Sequence, residues 1–181
     1  MRRYDNSKEL GKIKIRQINS SDKNRVKMFQ EYINSLVEED AMVLVNRKVN
    51  FDEEKKWILE RLKNKGNNNE VTVVAYNKNK ILGIAQISLA KWRCNHVGEF
   101  NISVRKEYRG FGLGKMLGLK VIELAKAKLK PKIIRLSVFS ENKIAKGLYV
   151  KLGFKEVAVI PKQYQYKGKL VDEVVMILDL V

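Results

Sequence analysis

Residues 104–115 of this chain read VRKEYRGFGLGK, which places three glycines within five positions, between a predicted strand and a predicted helix. The strand covers residues 97–104, and apolar residues at helical spacing extend over residues 112–129. Glycine permits a positive φ and lets a ligand approach the main chain closely. Unpaired N–H groups at a helix start attract phosphate, and Arg109 and Lys115 add positive charge there. The segment is therefore typical either of a phosphate-binding loop or of a glycine-rich turn that only starts a helix.

Two common phosphate-binding motifs do not fit this loop. A Walker P-loop has a different glycine spacing and a Ser or Thr after its lysine to hold magnesium, whereas Met116 follows Lys115 here. A dinucleotide-binding fingerprint would need its third glycine at position 115 and an acidic residue about 20 positions later, and the sequence has neither. Both classes of nucleotide site are therefore excluded.

The loop resembles the hallmark of the GCN5-related N-acetyltransferase (GNAT) family, Gln/Arg-x-x-Gly-x-Gly/Ala between a strand and a helix. Arg109, Gly112 and Gly114 fill that pattern. The residues before it resemble the family's lead-in V-x-P-x-Y, although Lys106 replaces the proline. Residues 142–154 read NKIAKGLYVKLGF and resemble the second motif of the family, N-x-x-A-x-x-L-Y-x-K-x-G-F.

The pattern of the whole chain fits this resemblance. Apolar periodicity and turn residues predict the element order β-α-α-β-β-β-α-β-α-β-β over residues 13–180. For the first helix the N-cap candidates are Ser20, Ser21 and Asp22, and the second helix is predicted from about residue 52 to 63. The expected fold is a single GNAT-like α/β domain over residues 13–181, with a mixed, partly parallel sheet of about seven strands flanked by about four helices. Residues 1–12 are predicted to form a polar N-terminal tail.

Composition narrows the class of protein. The chain has 181 residues, with 37 Lys and Arg against 20 Asp and Glu, so the formal net charge is +17. Hydrophobic residues make up 45%, which excludes disorder for most of the chain. Cys94 is the only cysteine, which excludes an intramolecular disulfide framework, and Cys94 with His96 is too few for structural zinc, so no metal is expected. No run approaches the roughly 18 apolar residues of a membrane span, and we expect a soluble, reduced, cytoplasmic protein without a membrane partner.

The resemblance implies a cofactor, acetyl-coenzyme A (acetyl-CoA). In this family the main-chain amides after the fourth strand hold the pyrophosphate, while the end of that strand separates from the fifth strand and pairs with the pantetheine arm. Asn142 can act as the N-cap of its helix, as a contact to coenzyme A, or as both. The implied cofactor-binding residues are Ile102, Ser103, Val104, Arg109, Gly110, Phe111, Gly112, Leu113, Gly114, Lys115 and Asn142.

Acetyl transfer to an amine has two proton requirements, because the alkylammonium must lose a proton and the departing thiolate should gain one. Tyr149, at the position of the family's tyrosine, is the candidate acid, and its alternative role is packing on the sheet. Glu99 on the fourth strand is the candidate base, or else a solvent-facing or salt-bridged carboxylate. His96 is an alternative base. No residues near Cys94 are typical of a nucleophile triad.

The acceptor is expected between the loop joining the first two helices and the hairpin joining the last two strands. That loop holds Glu38, Glu39 and Asp40, which either attract a cationic amine or form a solvated turn, and Glu39 is the candidate ligand. Tyr164 and Tyr166 on the hairpin resemble paired tyrosines of relatives that acetylate protein N-termini, or else lie on an exposed face without function.

The sequence thus predicts an acetyl-CoA-dependent N-acetyltransferase. The acetyl group would pass to a primary amine, on a protein or peptide N-terminus, a lysine or a small molecule, by direct attack in a ternary complex. One alternative is a basic nucleic-acid-binding module, which is not favoured because the lysines are scattered and no RNA- or DNA-binding motif accompanies them. Another is a domain of the same fold that binds coenzyme A without turnover. The expected assembly is a monomer or a homodimer.

Overall fold

The elements follow one another in the predicted order. The computed structural model describes residues 13–181, so the predicted tail at 1–12 lies outside the described residues. The strands are β1 (Lys14–Gln17), β2 (Glu70–Asn77), β3 (Lys80–Leu89), β4 (Val97–Val104), β5 (Ile133–Phe139), β6 (Lys155–Tyr166) and β7 (Lys169–Asp179). The helices are α1 (Val26–Glu38), α2 (Phe51–Gly66), α3 (Leu113–Lys128) and α4 (Lys143–Lys151), and short 3-10 turns cover Ser20–Arg25, Trp92–Cys94 and Lys106–Tyr108.

All seven strands of the described chain belong to one sheet, in the order β1-β2-β3-β4-β5-β7-β6. The β4–β5 pair is parallel, and the other neighbours are antiparallel. The last strand therefore lies between β5 and β6 and forms a hairpin with β6. The mixed, partly parallel α/β sheet predicted from the sequence is confirmed.

Helices cover both faces of the sheet, and each face has its own apolar core. On the face covered by α3 and α4, Phe100 and Tyr149 belong to the larger cluster of buried residues. On the face covered by α1 and α2, Tyr32 and Ile58 belong to a second cluster with Val74 of β2. Because successive strand side chains point to opposite faces, Phe100 of β4 enters the larger core while its neighbour Glu99 lies on the other face of the sheet.

Local capping sets the helix starts, and two predicted boundaries were wrong. The helical segment leading into α1 is capped by Asn19, not by Ser20, Ser21 or Asp22: the Asn19 Oδ1 accepts from the Ser21 N–H, and the Asp22 carboxylate accepts from the Asn19 N–H at 2.9 Å. This first segment is a 3-10 turn, and α1 begins only at Val26.

The second difference concerns α2, which extends past the predicted end at residue 63 as far as Gly66. A glycine is tolerated in the last helical position, since its conformational cost is small at a fraying end. At the other end, Asn50 and Glu53 form a reciprocal capping box that starts the helix. No helix within residues 13–181 has the length and apolarity needed to cross a membrane.

Candidate functional site

The parallel strands β4 and β5 pair only near their beginnings. Residues 97–99 of β4 pair with residues 133–135 of β5. After these residues the β4–β5 pairing ends, while β4 stays paired with β3 on its other side and β5 stays paired with β7. The two strands therefore diverge after Glu99, which leaves main-chain N–H and C=O groups of β4 facing a gap. The predicted separation of residues 102–104 from the fifth strand is confirmed.

The glycine loop lies at the end of β4, beside this gap. Gly110 and Gly112 both have a φ of +82°, a left-handed conformation that side chains disfavour, and no atom lies within 4 Å of a Cβ built on either. The first helical hydrogen bond of α3 joins the Met116 N–H to the Gly112 carbonyl at 3.1 Å. The amides before Met116 therefore have no acceptor inside the helix. The loop is an open turn of main-chain donors at the positive end of a helix dipole.

Side chains of the loop anchor it in different ways. Leu113 is fully buried in the core, whereas Phe111 is 43% exposed and Lys115 is exposed. A Cβ on Gly114 would lie 3.1 Å from the Leu148 side chain of α4, so this glycine allows α3 and α4 to approach each other closely. The glycine loop thus exposes the side chains of Phe111 and Lys115 together with its main chain at Gly110 and Gly112.

Arg109 connects three parts of the site. Its Nε donates to the carbonyl of Val104 at 2.8 Å, at the end of β4. Its Nη2 forms an ion pair with the carboxylate of Glu39, which follows the end of α1. Glu39, the predicted acceptor ligand, is therefore paired with a residue of the glycine loop. This pair holds the loop between α1 and α2 against the cofactor side of the site.

Tyr149 lies next to the point where β4 and β5 diverge. Its ring contacts Phe100, the first residue of β4 beyond the paired segment, edge to face with 5.9 Å between centroids. Burial raises the pKa of Tyr149 to about 12. Asn142, at the start of the same helix, accepts a hydrogen bond from the Ala145 N–H at 3.1 Å and is its N-cap. The capping role predicted for Asn142 is confirmed.

A family model for the acetyltransferase (GNAT) family matches residues 31–154. The chain belongs to the GNAT family. The match covers both motifs, from the end of β4 to the Gly-Phe pair that closes the second motif. No curated protein sequence matches the chain.

Solved GNAT-type structures have the same fold over nearly the whole chain. A GNAT acetyltransferase from Streptococcus pneumoniae is 24% identical with a TM-score of 0.81, covering 93% of this chain and 99% of its own. The Salmonella typhimurium protein yncA, solved with its cofactor acetyl-CoA, is 22% identical with a TM-score of 0.79, covering 94% and 95%. The ribosomal-protein-S5-alanine acetyltransferase of Vibrio fischeri is 21% identical with a TM-score of 0.80, covering 93% of each chain.

Acetyl-CoA is the acetyl donor of GNAT enzymes, and this chain fits it. A pyrophosphate needs main-chain donors that it can approach closely, and the open turn at Gly110 and Gly112 supplies them. An amide-bearing arm needs a free strand edge, and β4 has one beyond Glu99. The assignment of individual contacts to residues 102–104, 109–115 and Asn142 stays a prediction.

The candidate base Glu99 is ion-paired. Arg135, its neighbour across the last β4–β5 pair, donates from Nη2 to Oε1 at 2.5 Å and from Nε to Oε2 at 3.4 Å. The Glu99 side chain is 34% exposed, so it reaches solvent beside the gap. His96 is exposed, directly before β4, and its carbonyl accepts from the amides of Lys132 and Ile133. His96 therefore lies at the opposite end of β4 from the glycine loop.

The hairpin of β6 and β7 places aromatic rings on the same face of the sheet as Glu99. Tyr164 stacks on Phe139 of β5 with 4.2 Å between ring centroids, and Tyr166 contacts Phe139 at 5.8 Å. The Tyr166 hydroxyl donates to the carbonyl of Asp40 at 2.8 Å, and Lys167 pairs with the Asp40 carboxylate at 3.4 Å. The loop and the hairpin predicted to flank the acceptor thus touch each other.

Three residues of this face did not stand out in the sequence. Phe139 is 7% exposed and carries both tyrosine contacts. Its cross-strand partner Glu173 is 9% exposed and makes no ion pair with the described residues. Burial, with the negative charge of Glu173, raises the pKa of Tyr164. The sequence shows two adjacent acidic residues at 172–173. Only the register of β5 and β7, which pairs Phe139 with Glu173, shows that Glu173 faces the aromatic cluster.

The third residue is Glu54 of α2, which is 7% exposed. Burial raises its pKa to about 7, against a smaller lowering by Arg61. Glu54 and Arg61 lie two helical turns apart on one side of α2. Arg61 donates to Gln86 on β3 at 3.2 Å, and Gln86 pairs with Asn101, two residues after Glu99. Glu54 therefore faces the same side of the sheet as Glu99. A buried helical carboxylate has no sequence signal that separates it from the exposed ones.

Proposed function

We propose that this chain is an acetyl-CoA-dependent N-acetyltransferase whose acceptor is a primary amine. The observation that supports this most directly is the gap between β4 and β5. The glycine loop flanks the gap at one end, and Tyr149 contacts Phe100 at its edge on the α3/α4 face. Acidic and aromatic side chains lie on the other face of the same strands. A donor and an acceptor brought in from opposite sides would meet at the gap, which gives a large proximity effect.

The donor side rests on main-chain groups. Acetyl-CoA supplies an activated acetyl thioester. The amides of residues 110–115 would hold its pyrophosphate, and the free edge of β4 at residues 102–104 would hold its pantetheine arm. Arg109 keeps the glycine loop docked on the end of β4 through Val104 and Glu39. The cradle is thus positioned before any ligand arrives, so little ordering is required on binding.

Tyr149 is proposed as the proton donor to the departing sulfur. Its pKa of about 12 means that the hydroxyl keeps its proton at any working pH. A thiol has an unperturbed pKa of about 8.5, so full proton transfer from this hydroxyl to a free thiolate is uphill; the neutral hydroxyl would instead donate a hydrogen bond to the sulfur as negative charge develops on it. The aromatic contacts with Phe100 and Phe154 fix the ring in place.

Glu99 is proposed as the base for the amine, with His96 as the alternative named above. Arg135 occupies both Glu99 oxygens, so Glu99 serves as a base only when the incoming amine competes with that guanidinium. Glu54 is a further carboxyl on the same face, and its pKa of about 7 is close to that of an efficient general base. His96 lies at the end of β4 opposite the glycine loop, so it is the least supported of the three candidate bases.

The acceptor is proposed to be cationic before it reacts. Glu173 is a carboxylate without an ion pair among residues 13–181, next to the stacked rings of Phe139 and Tyr164. Carboxylate and aromatic faces both attract an ammonium group. The structural similarity to a ribosomal-protein-S5-alanine acetyltransferase supports a protein N-terminus as one such acceptor, and a lysine or a small amine meets the same requirement.

Two measurements test the proposal. First, saturating acetyl-CoA should raise the melting temperature, since a ligand at 100 times its Kd adds about 2.7 kcal/mol. Second, thiol release should be followed with acetyl-CoA and a panel of peptides, polyamines and small amines. A melting shift without thiol release from any amine would indicate a domain that binds coenzyme A without turnover and would refute the enzyme assignment.

Replacement of Tyr149 by phenylalanine tests the proton donor. Tyr149→Phe should lower kcat about 100-fold, within the usual range for loss of a general acid, and leave the Kd for acetyl-CoA unchanged. Tyr76→Phe is the matched control, because Tyr76 lies on β2, two strands away from β4, beside Arg16. Equal rates for the two variants would remove Tyr149 from the mechanism.

A further inference from the structure

Part of the positive charge is concentrated at one end of the sheet. This end, where β4 and β5 begin, is opposite the glycine loop. It comprises the loop 90–96, the turn 129–132 and the segment 66–69, and is called the basal surface below. The parts are joined by main-chain hydrogen bonds: Leu89 N–H to the Asn69 carbonyl at 2.8 Å, and Lys132 N–H to the His96 carbonyl at 2.8 Å.

The cations of the basal surface have no ion-pair partner within the described part of the chain. Lys91, Arg93, Lys130 and Lys132 are all exposed, and none forms an ion pair with a carboxylate of residues 13–181. Asp179, opposite Ile133 at the end of β7, is the acidic side chain beside them. Elsewhere in the described chain many basic residues do pair, such as Arg109 with Glu39. The basal cations are thus available to a polyanion.

An exposed aromatic ring lies among these cations. Trp92 is 88% exposed and is held in a short 3-10 turn with a φ of +59°. Hydrogen bonds from Cys94 to Lys91 at 3.1 Å and from Asn95 to Trp92 at 3.2 Å keep this turn closed. The indole is therefore presented to solvent by an ordered turn, with a basic residue on either side. A flat exposed ring between cations is the arrangement on which unstacked bases pack.

A cavity of about 340 Å³ opens on the same surface, lined by Gln17, Lys65, Asn68 and Lys128 among others. The Lys128 Nζ donates to the Gln17 Oε1 at 2.7 Å, which fixes the orientation of that amide. The Gln17 Nε2 is then buried, with no acceptor among the described residues. Gln17, Lys65 and Lys128 thus line a cavity large enough for a phosphate, with the buried Gln17 amide beside it and the Lys65 Nζ donating to the Ile18 carbonyl at 2.9 Å.

The cavity is also lined by an acidic residue, Glu70, which is 2% exposed. Glu70 accepts hydrogen bonds from Thr72 at 2.7 Å and from Asn64 at 3.2 Å, and pairs with Arg61 at 3.3 Å. Burial raises its pKa. The negative charge of Glu70 is thus directed into the protein and offset there. The electrostatic potential of the cavity is therefore set by the two lysines and is positive.

From these observations we infer that the basal surface binds single-stranded RNA, with a phosphate in the Gln17 cavity and a base stacked on Trp92. A single strand is required because bases inside a duplex cannot reach an aromatic side chain, whereas bases in RNA loops and ends can. An anionic membrane fits less well, since the loop around Trp92 reads KWRCNH and offers no second large apolar side chain for insertion. This site is independent of the glycine loop and of acetyl transfer.

The test measures binding of a fluorescently labelled 12-nucleotide single-stranded RNA by anisotropy between 50 and 200 mM salt. Trp92→Ala should weaken binding about 5- to 100-fold, the usual range for a lost base stack. The double variant Lys130→Gln/Lys132→Gln should reduce the slope of log K against log salt by about 1.4, since each phosphate contact on a single strand contributes about 0.7. The control is Lys23→Gln/Lys27→Gln, which removes the same charge from exposed positions around the start of α1 and should leave the slope unchanged.

Several results would overturn the inference. One is a wild-type affinity that Trp92→Ala does not change, or equal slopes for the basal and control double variants. Another is duplex RNA of the same sequence binding as tightly as the single strand, because stacking on Trp92 would then contribute nothing. A third is retention on vesicles of anionic phospholipid together with no binding of RNA, which would make the basal surface a membrane contact. Circular dichroism of each variant verifies that the fold is retained.

Discussion

Glu54→Gln should stabilise the protein above neutral pH and leave it unchanged in acid. Glu54 faces the sheet from α2, one helical turn before the fully buried Ile58. Burial disfavours its charged form, and the guanidinium of Arg61 only partly compensates, so its pKa rises from 4.5 to about 7. Glutamine has nearly the same shape and no charge to bury. The variant therefore isolates the electrostatic cost of this one carboxyl.

The sign and the size of this difference in stability follow from proton linkage. Between pH 4.5 and 7 the folded protein keeps a proton on Glu54 that the unfolded chain has released, so stability falls as the pH rises through this window. The shift corresponds to about 3 kcal/mol at roughly 1.4 kcal/mol per pKa unit. At pH 8 the variant should be more stable than wild type by up to about 3 kcal/mol, or on the order of 6–12 °C in melting temperature for a chain of this size. At pH 4.5 the two should agree within about 1 kcal/mol.

Urea unfolding at pH 4.5, 6, 7 and 8, followed by circular dichroism, measures this difference directly. Glu31→Gln is the control, because Glu31 is exposed on α1 and loses the same charge. A difference between Glu54→Gln and wild type that stays constant across these pH values would refute the reasoning, since the carboxyl would then titrate alike in both states. Thiol-release rates of Glu54→Gln show whether the Glu54 carboxyl, which destabilises the fold at neutral pH, also serves as a base in the reaction.

Two further substitutions test the donor and acceptor sides. Gly112→Ala should raise the Kd for acetyl-CoA about tenfold in a thermal-shift titration, because φ is +82° and a side chain would enter the turn; Gly168→Ala, at a φ of +73° in the β6–β7 hairpin, carries similar strain and should not change that Kd. Glu173→Gln should raise KM for cationic amines about tenfold with little change in kcat, since the ammonium would lose a buried counter-charge. Equal KM values for the wild type and the Glu173 variant would place the amine elsewhere on the face.

Much of the donor side follows from short stretches of sequence. One continuous segment of the chain contains the strand, the glycines at 110, 112 and 114, and the helix that follows them. Each of these depends on local backbone conformation, so the sequence of that segment is enough to predict them. The same holds for Asn142, whose side chain caps its own helix three residues on. The chain before α1 was predicted less well, because Asn19, Ser20, Ser21 and Asp22 are all good caps, and the structure selects Asn19, whose reciprocal capping box with Asp22 starts a 3-10 turn.

The acceptor side depends on residues far apart in the chain. Glu99 meets Arg135 across 36 positions, and Arg109 meets Glu39 across 70. The first pair arises from the parallel register of β4 and β5, which no local pattern encodes. The antiparallel register of β5 and β7 likewise brings Phe139 beside Glu173. Site residues predicted singly were therefore placed correctly on their elements, while their partners appeared only in the folded chain.

By itself, the sequence determined the order of elements, the glycine loop and the position of Tyr149 on its helix, because each rests on interactions within a few residues. Only the tertiary structure decided the pKa of Glu54, the pairing of Glu99 and the gathering of unpaired cations around Trp92. Burial and Coulomb energy depend on distances in space, and these are fixed when strands and helices from different parts of the chain pack together.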